Sequence, residues 1–296
     1  GALGGYYGAR LMHGGAEVHF LCHSDAEHVA RHGWLVESTQ HGELKLPRVR
    51  AYADVGEMPR CDVVVIGLKT TSNALLGDLL PRVVKDDGCV LTLQNGLGPE
   101  DAAAAVVGAE RVLGGLCFLC SNKVGPGHIR QDRFDHVKLG EHGHRGVTDR
   151  VERIAQDFEA GGVQVQRVAD LNAARWEKLV WNMPYNGLAA LHGEDCSALM
   201  RDREPAVRAI MVEVVAGADA AAGHAIPESF VDAMLGNTRK MNAYKPSMMI
   251  DRELGRPMEL EAIYGEPLRR AAAAGVAMPA ARALYDRLNE IEAARR

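Results

Sequence analysis

The apolar positions of this chain fall into two regimes. Through the first half, short β-branched runs alternate with segments whose apolar residues recur every three or four positions. Residues 62–67 (Asp-Val-Val-Val-Ile-Gly) form a continuous run of the kind that suits a strand buried on both faces. Residues 88–93 repeat that character, and residues 111–117 follow. Shorter strands are predicted at 18–22 and 48–52, and helical patterns lie between them at 4–13, 25–31, 73–84 and 100–107. This alternation predicts an α/β unit built on a doubly wound parallel sheet. Residues 127–141 read as a β-hairpin, with turn signals at Pro126-Gly127 and at Asp132. A helix at 148–160 and a strand at 163–167 complete the unit.

After about Asp170 the strand runs stop. Alanine-, leucine- and methionine-rich helical patterns take over, as at 174–181, 206–222, 227–240 and 258–274. Two domains are expected: residues 1–169 around the sheet, and an all-α domain at 170–296. No repeat or low-complexity linker separates them.

Composition narrows the function. A chain of 296 residues, 47% hydrophobic and 25% charged, can bury a core without disulfides or a structural metal. Its net charge of -5, with basic residues scattered, argues against nucleic acid or an anionic membrane as partner. No run approaches the roughly 18–20 apolar residues that cross a bilayer, and no export signal is visible. The six cysteines (Cys22, Cys61, Cys89, Cys117, Cys120, Cys196) are spread along the chain, mostly in apolar runs, as free thiols of a reducing cytoplasm would be. Cys117 and Cys120 have redox-pair spacing, but they close an apolar run with no helix start and no second pair for zinc. No metal site is expected.

The chain opens Gly1-Ala2-Leu3-Gly4-Gly5-Tyr6-Tyr7-Gly8. This matches the tail of the Gly-x-Gly-x-x-Gly dinucleotide fingerprint of Rossmann-like folds. There, glycines let the backbone approach a pyrophosphate at a helix N-terminus. The preceding strand and first glycine would lie before Gly1, so a truncation of roughly ten residues is expected. Gly8 falls where the first helix must pack closely on the sheet. The strand at 18–22 ends on Cys22-His23-Ser24, with no acid at its tip to bind ribose hydroxyls, which favours NADPH over NADH. Ser24 and Glu27 read as a capping box.

The most informative segment is 176–188. Residues four apart on a helix drift only about 40°, so Lys178, Asn182 and Asn186 share one side of an otherwise apolar helix. Buried polar groups left unpaired cost about 1–3 kcal/mol each, so this stripe needs partners: a ligand, or a structural network. Pro184 removes one backbone bond and predicts a kink.

Several features in order complete the pattern: Gly1-Ala-Leu-Gly4, Leu68-Lys69-Thr70, Gln94-Asn95-Gly96-Leu97-Gly98, Trp176-Glu177-Lys178-Leu179, Asn182 with Asn186, Pro246-Ser247-Met248, and Glu259. With them, the chain resembles the 2-dehydropantoate 2-reductase (ketopantoate reductase) family from Gly1 to about Leu288. The resemblance implies NADPH-dependent reduction of 2-dehydropantoate to (R)-pantoate, on the route to pantothenate and coenzyme A. It implies Lys178 as general acid. A cationic donor suits the negative charge that develops on a ketone oxygen, and a free lysine titrates near about 10.4. It implies Glu259, rather than Glu261, as the carboxylate that orients Lys178 and bonds a substrate hydroxyl or the cofactor. Asn182, Asn186, Ser247 and Asn95 would hold substrate. Gly1, Ala2, Leu3, Gly4, His23, Lys69, Asn95, Cys120 and Glu259 would contact cofactor.

Two positions depart from the family pattern. His23 stands where an arginine commonly meets the 2′-phosphate, so NADH stays open beside NADPH. Tyr244 stands one turn before Ser247, where a polar asparagine is common, which leaves open a different 2-keto acid. A non-catalytic nucleotide-binding relative is the third reading, and the retention of Lys178 and Glu259 speaks against it. A helical second half also suits a homodimer.

Overall fold

The computed structural model describes residues 1–295. By its contacts the chain divides into two compact units. One comprises Gly1–Gln94 and Pro99–Leu171; the other comprises Asn95–Gly98 and everything from Asn172 onward.

The first unit contains, in chain order, α1 (Ala2–His13), β1 (His19–Leu21), α2 (Ala26–His32), β2 (Trp34–Ser38), β3 (Gly42–Leu46), β4 (Arg50–Tyr52), β5 (Cys61–Ile66), α3 (Leu76–Val83), β6 (Val84–Thr92), α4 (Pro99–Val107), β7 (Val112–Gly125), β8 (His128–Glu141), α5 (Asp149–Ala160) and β9 (Gln164–Arg167). Among the described residues, seven strands form one sheet in the order β3-β2-β8-β7-β6-β5, with β9 also on β8. β5, β6 and β7 run parallel, whereas β7 and β8 are antiparallel. β1 and β4 pair separately, in parallel.

The continuous apolar runs are buried on both sides, and period-two geometry sorts their residues. Cys89, Leu91 and Leu93 pack with Tyr6, Tyr7 and Phe158 of the α1 and α5 layer. Val90 joins Ile66, Leu76, Leu80 and Ala103 of the α3 and α4 layer. Helices on both faces of the sheet are what the doubly wound reading anticipated. Gly8 also behaves as expected: a Cβ there would lie 2.3 Å from the Phe20 ring of β1.

Three local expectations need correction. The segment read as a hairpin within 127–141 is the single strand β8, and the hairpin is β7–β8, turning at Pro126-Gly127 with Gly127 at φ +60°. The Asp132 signal marks an irregularity in that pairing, where Phe134 takes φ +56°. A bulge absorbs the turn-prone residues because both flanks already pair with β7. Second, the hairpin β2–β3 arises where no element was predicted, although Trp34 and Val36 are buried in alternation. Third, Ser24 does not cap α2: Asp25 is its N-cap residue and makes no side-chain cap bond. That carboxylate instead accepts from the Lys123 ammonium at 3.2 Å and the Gly127 N–H at 3.4 Å.

The second unit is helical: α6 (Leu171–His192, its first residue belonging to the sheet unit), α7 (Cys196–Asp202), α8 (Glu204–Ala222), α9 (Glu228–Arg239), α10 (Ser247–Glu253), a π-helical turn (Glu261–Gly265), α11 (Glu266–Ala273) and α12 (Pro279–Ala293). α6 continues as helix through Pro184. Its core gathers Trp176, Leu179, Val180 and Met183 of α6 with Met211 and Val214 of α8 and Ile263 and Tyr264 of the π-turn. The sequence pattern joined the π-turn and α11 into one helix, because a π-turn keeps nearly helical spacing.

Candidate active site

The nucleotide-side candidates lie in the sheet unit. α1 starts at Ala2, so the N–H groups of Ala2, Leu3 and Gly4 fall in its first turn, where helices lack internal partners. That turn carries no acidic residue of its own to offset the positive end of the helix dipole. Backbone approaches backbone beside it: a Cβ on Gly67, the residue after β5, would lie 2.9 Å from both N and Cα of Gly4. Lys69, half-buried, follows Gly67 in extended geometry at the start of a 3-10 turn, Thr70–Leu75. His23 is exposed just past β1, and Cys120 is half-buried on β7.

No local motif pointed to Lys123. From near the end of β7 its ammonium reaches the Ser24 hydroxyl at 3.4 Å as well as Asp25. It therefore sets a cation on the two residues that follow His23, by a pairing of distant segments that no local motif records.

The polar stripe lies in the helical unit. Lys178 is half-buried, and its Nζ donates to Oδ1 of Asn95 at 2.9 Å. Asn95 follows the end of β6 by sequence, yet the segment Asn95–Gly98 clusters with the helical unit. The buried Asn186 donates through Nδ2 to the Asn182 carbonyl at 3.0 Å. Its Oδ1 accepts from the Ser247 hydroxyl at 3.3 Å and from the Met248 N–H at 3.2 Å. Asn182 is buried, and Ser247 is exposed at the start of α10. Glu259 is buried just ahead of the π-turn. The structure thus brings together Lys178 with Asn95, and Asn182 with Asn186 and Ser247. Tyr244 packs its ring against Trp181, with centroids 6.1 Å apart, and Trp181 in turn stacks on Tyr185.

An ammonium on a fixed amide oxygen, with two further amides along the same helix and a hydroxyl from α10, can donate a proton to an oxygen and grip a small polar molecule. Among the described residues, no three His, Cys, Asp or Glu side chains are grouped to hold a metal ion, and no helix is long and apolar enough to cross a membrane. The six cysteines are free, four of them buried.

Comparison with known proteins agrees across the whole chain. Residues 1–144 match the family model "Ketopantoate reductase PanE/ApbA", and residues 170–292 match its C-terminal counterpart. The chain is 48% identical to a 2-dehydropantoate 2-reductase of Nostoc sp., over 99% of this chain and 93% of that one. A solved 2-dehydropantoate 2-reductase from Geobacter metallireducens superposes with a TM-score of 0.95 at 44% identity, covering 98% of this chain and 97% of its own. One from Methylococcus capsulatus superposes with a TM-score of 0.90 at 33% identity, covering 100% and 95%.

Proposed function

The chain belongs to the ketopantoate reductase family, oxidoreductases acting on a CH–OH group, and we propose that it reduces 2-dehydropantoate to (R)-pantoate with NADPH. The reaction would serve pantothenate and coenzyme A synthesis. Free, mostly buried thiols suit the reducing cytoplasm where such synthesis runs.

The observation that carries this reading is the Lys178 ammonium held on Asn95 at 2.9 Å. A carbonyl reduced by hydride gains negative charge on oxygen and needs one proton there. Lys178 is the cation that donates it, and Asn95 fixes the direction in which the ammonium points. Glu259, buried in the same unit, supplies the carboxylate that orients Lys178 or bonds a substrate hydroxyl. Asn182 and the exposed Ser247 grip the substrate's hydroxyl and carboxylate. Asn186 has a double task, since its amide already braces Asn182 and the start of α10.

The residues at the start of α1 fit a dinucleotide. The close passage of Gly4 and Gly67 leaves no room for a side chain at Gly67, and the first turn of α1 presents N–H groups with no acidic residue of its own. Gly1 to Gly4 would face the pyrophosphate, while Lys69 and the backbone at Cys120 would contact the cofactor further along. His23, whose two following residues bond Lys123, would meet the adenosine end; no acid stands at the strand tip itself, which favours a 2′-phosphate. When bound, the dinucleotide supplies the hydride that adds to the ketone carbon.

Steady-state kinetics on a panel of 2-keto acids tests the substrate: a clear preference for 2-dehydropantoate is expected, and equal rates across the panel would overturn it. Lys178→Ala should lower kcat by about 10²–10⁴-fold with NADPH affinity retained. Turnover near wild type would remove Lys178 from its role.

A further inference from the structure

The π-turn Glu261–Gly265 is held at both ends by bonds to the segments that carry the lysine site. On one side the Ala262 carbonyl accepts from the Leu97 N–H at 2.8 Å. The approach is close enough that a Cβ on Gly96 would lie 2.3 Å from that carbonyl oxygen, and Gly96 sits at φ +86°. This contact anchors the segment whose first residue, Asn95, holds Lys178.

On the other side stands Tyr264, fully buried. Its hydroxyl donates to the Met183 carbonyl at 2.6 Å. Residues 183 and 187 are four apart, so in a regular helix they would bond each other. The Tyr264 hydroxyl stands beside that rung of α6, and a Cβ on Gly187 would lie 2.1 Å from it. Pro184 occupies the same turn and has already removed one rung of the ladder. Lys178 and Asn182 precede this turn, Asn182 immediately, and Asn186 lies within it. The Glu259 carbonyl, in addition, accepts from Ile263 N–H within the π-turn at 3.2 Å.

We infer that the π-turn is the positioning frame of the lysine site, with Gly96 and Tyr264 as positioning residues. One arm sets Asn95 against Lys178; the other sets the turn of α6 at the two asparagines. π-Turns recur at functional sites because the extra residue re-aims backbone groups that a regular helix would use internally. The inference rests on the reductase reading of Lys178.

The test compares Gly96→Ala, Gly98→Ala and Tyr264→Phe. Gly98 has the same left-handed backbone, at φ +93°, but its Cβ would meet only Glu266 at an ordinary 3.5 Å. It therefore reports backbone strain without the collision. Gly96→Ala is expected to lower kcat by about 100-fold, with NADPH affinity and Tm close to those of Gly98→Ala, and Tyr264→Phe to lower kcat in the same way. In crystals of Gly96→Ala the Asn95–Lys178 bond should be broken. Equal turnover for the two alanine variants, or unchanged turnover in Tyr264→Phe, would overturn the frame. So would a kcat loss that merely tracks a fall in Tm. If wild type reduces no 2-keto acid, the reductase reading falls, and survival of the Asn95–Lys178 bond in the Gly96→Ala crystal still decides the frame.

Discussion

Just past β1, Ser24 and Asp25 meet a lysine from a strand far along the chain. Burial alone would raise the Asp25 pKa. The hydrogen bond and charge of Lys123, with the Gly127 N–H, more than offset that and hold it below its ordinary value of 3.8. A carboxylate lowered by folding contributes stability above its unfolded pKa and loses it as pH falls through the folded value. Asp25→Asn should therefore reduce Tm at pH 7, and the gap to wild type should shrink as the pH drops below about 4. Thermal melts across that range would show it. A gap that stays constant with pH would mean the ionised carboxylate contributes nothing.

Elements in this fold are spaced by glycine as much as by large side chains. Gly8 lies on the buried face of α1, and any Cβ there meets the Phe20 ring. Replacing a helical glycine by alanine ordinarily gains about 0.5–1 kcal/mol. Overpacking a filled site costs about 1–3 kcal/mol, so the packing term wins at this position. Gly8→Ala is expected to destabilise the protein, whereas Gly77→Ala on α3 is expected to stabilise it. Gly77 is exposed, and a Cβ there meets nothing within 4 Å. Denaturant midpoints of the two variants should move in opposite directions; a common direction would show that helix propensity, not packing, governs α1.

Over the whole molecule, cofactor binding and stability are linked. Dinucleotide bound to the folded state alone adds about 2.7 kcal/mol at 100 times its Kd. For a chain of 296 residues that is a Tm rise of roughly 4 °C. NADPH should give the larger rise at equal concentration with NADH, and His23→Arg should widen the difference. Equal shifts from both nucleotides would remove the NADPH preference, and an unchanged difference in His23→Arg would take His23 away from the 2′-phosphate.

Much of this was legible along the chain because it depends on short-range pattern. Period-two and helical periodicity located the runs that became β5, β6 and α6. The spacing of Lys178, Asn182 and Asn186 placed them on one helix face before any coordinates, since side-chain direction follows from backbone period. The partners of that stripe were not legible. Asn95 reaches Lys178, Tyr264 reaches Met183 and Lys123 reaches Asp25 across 83, 81 and 98 positions of sequence. Such pairings are set by how elements pack, and local residue pattern carries no record of them. Likewise Asp132 carries a turn signal by itself, and only the pairing of β8 with β7 on both sides of it made the site a bulge.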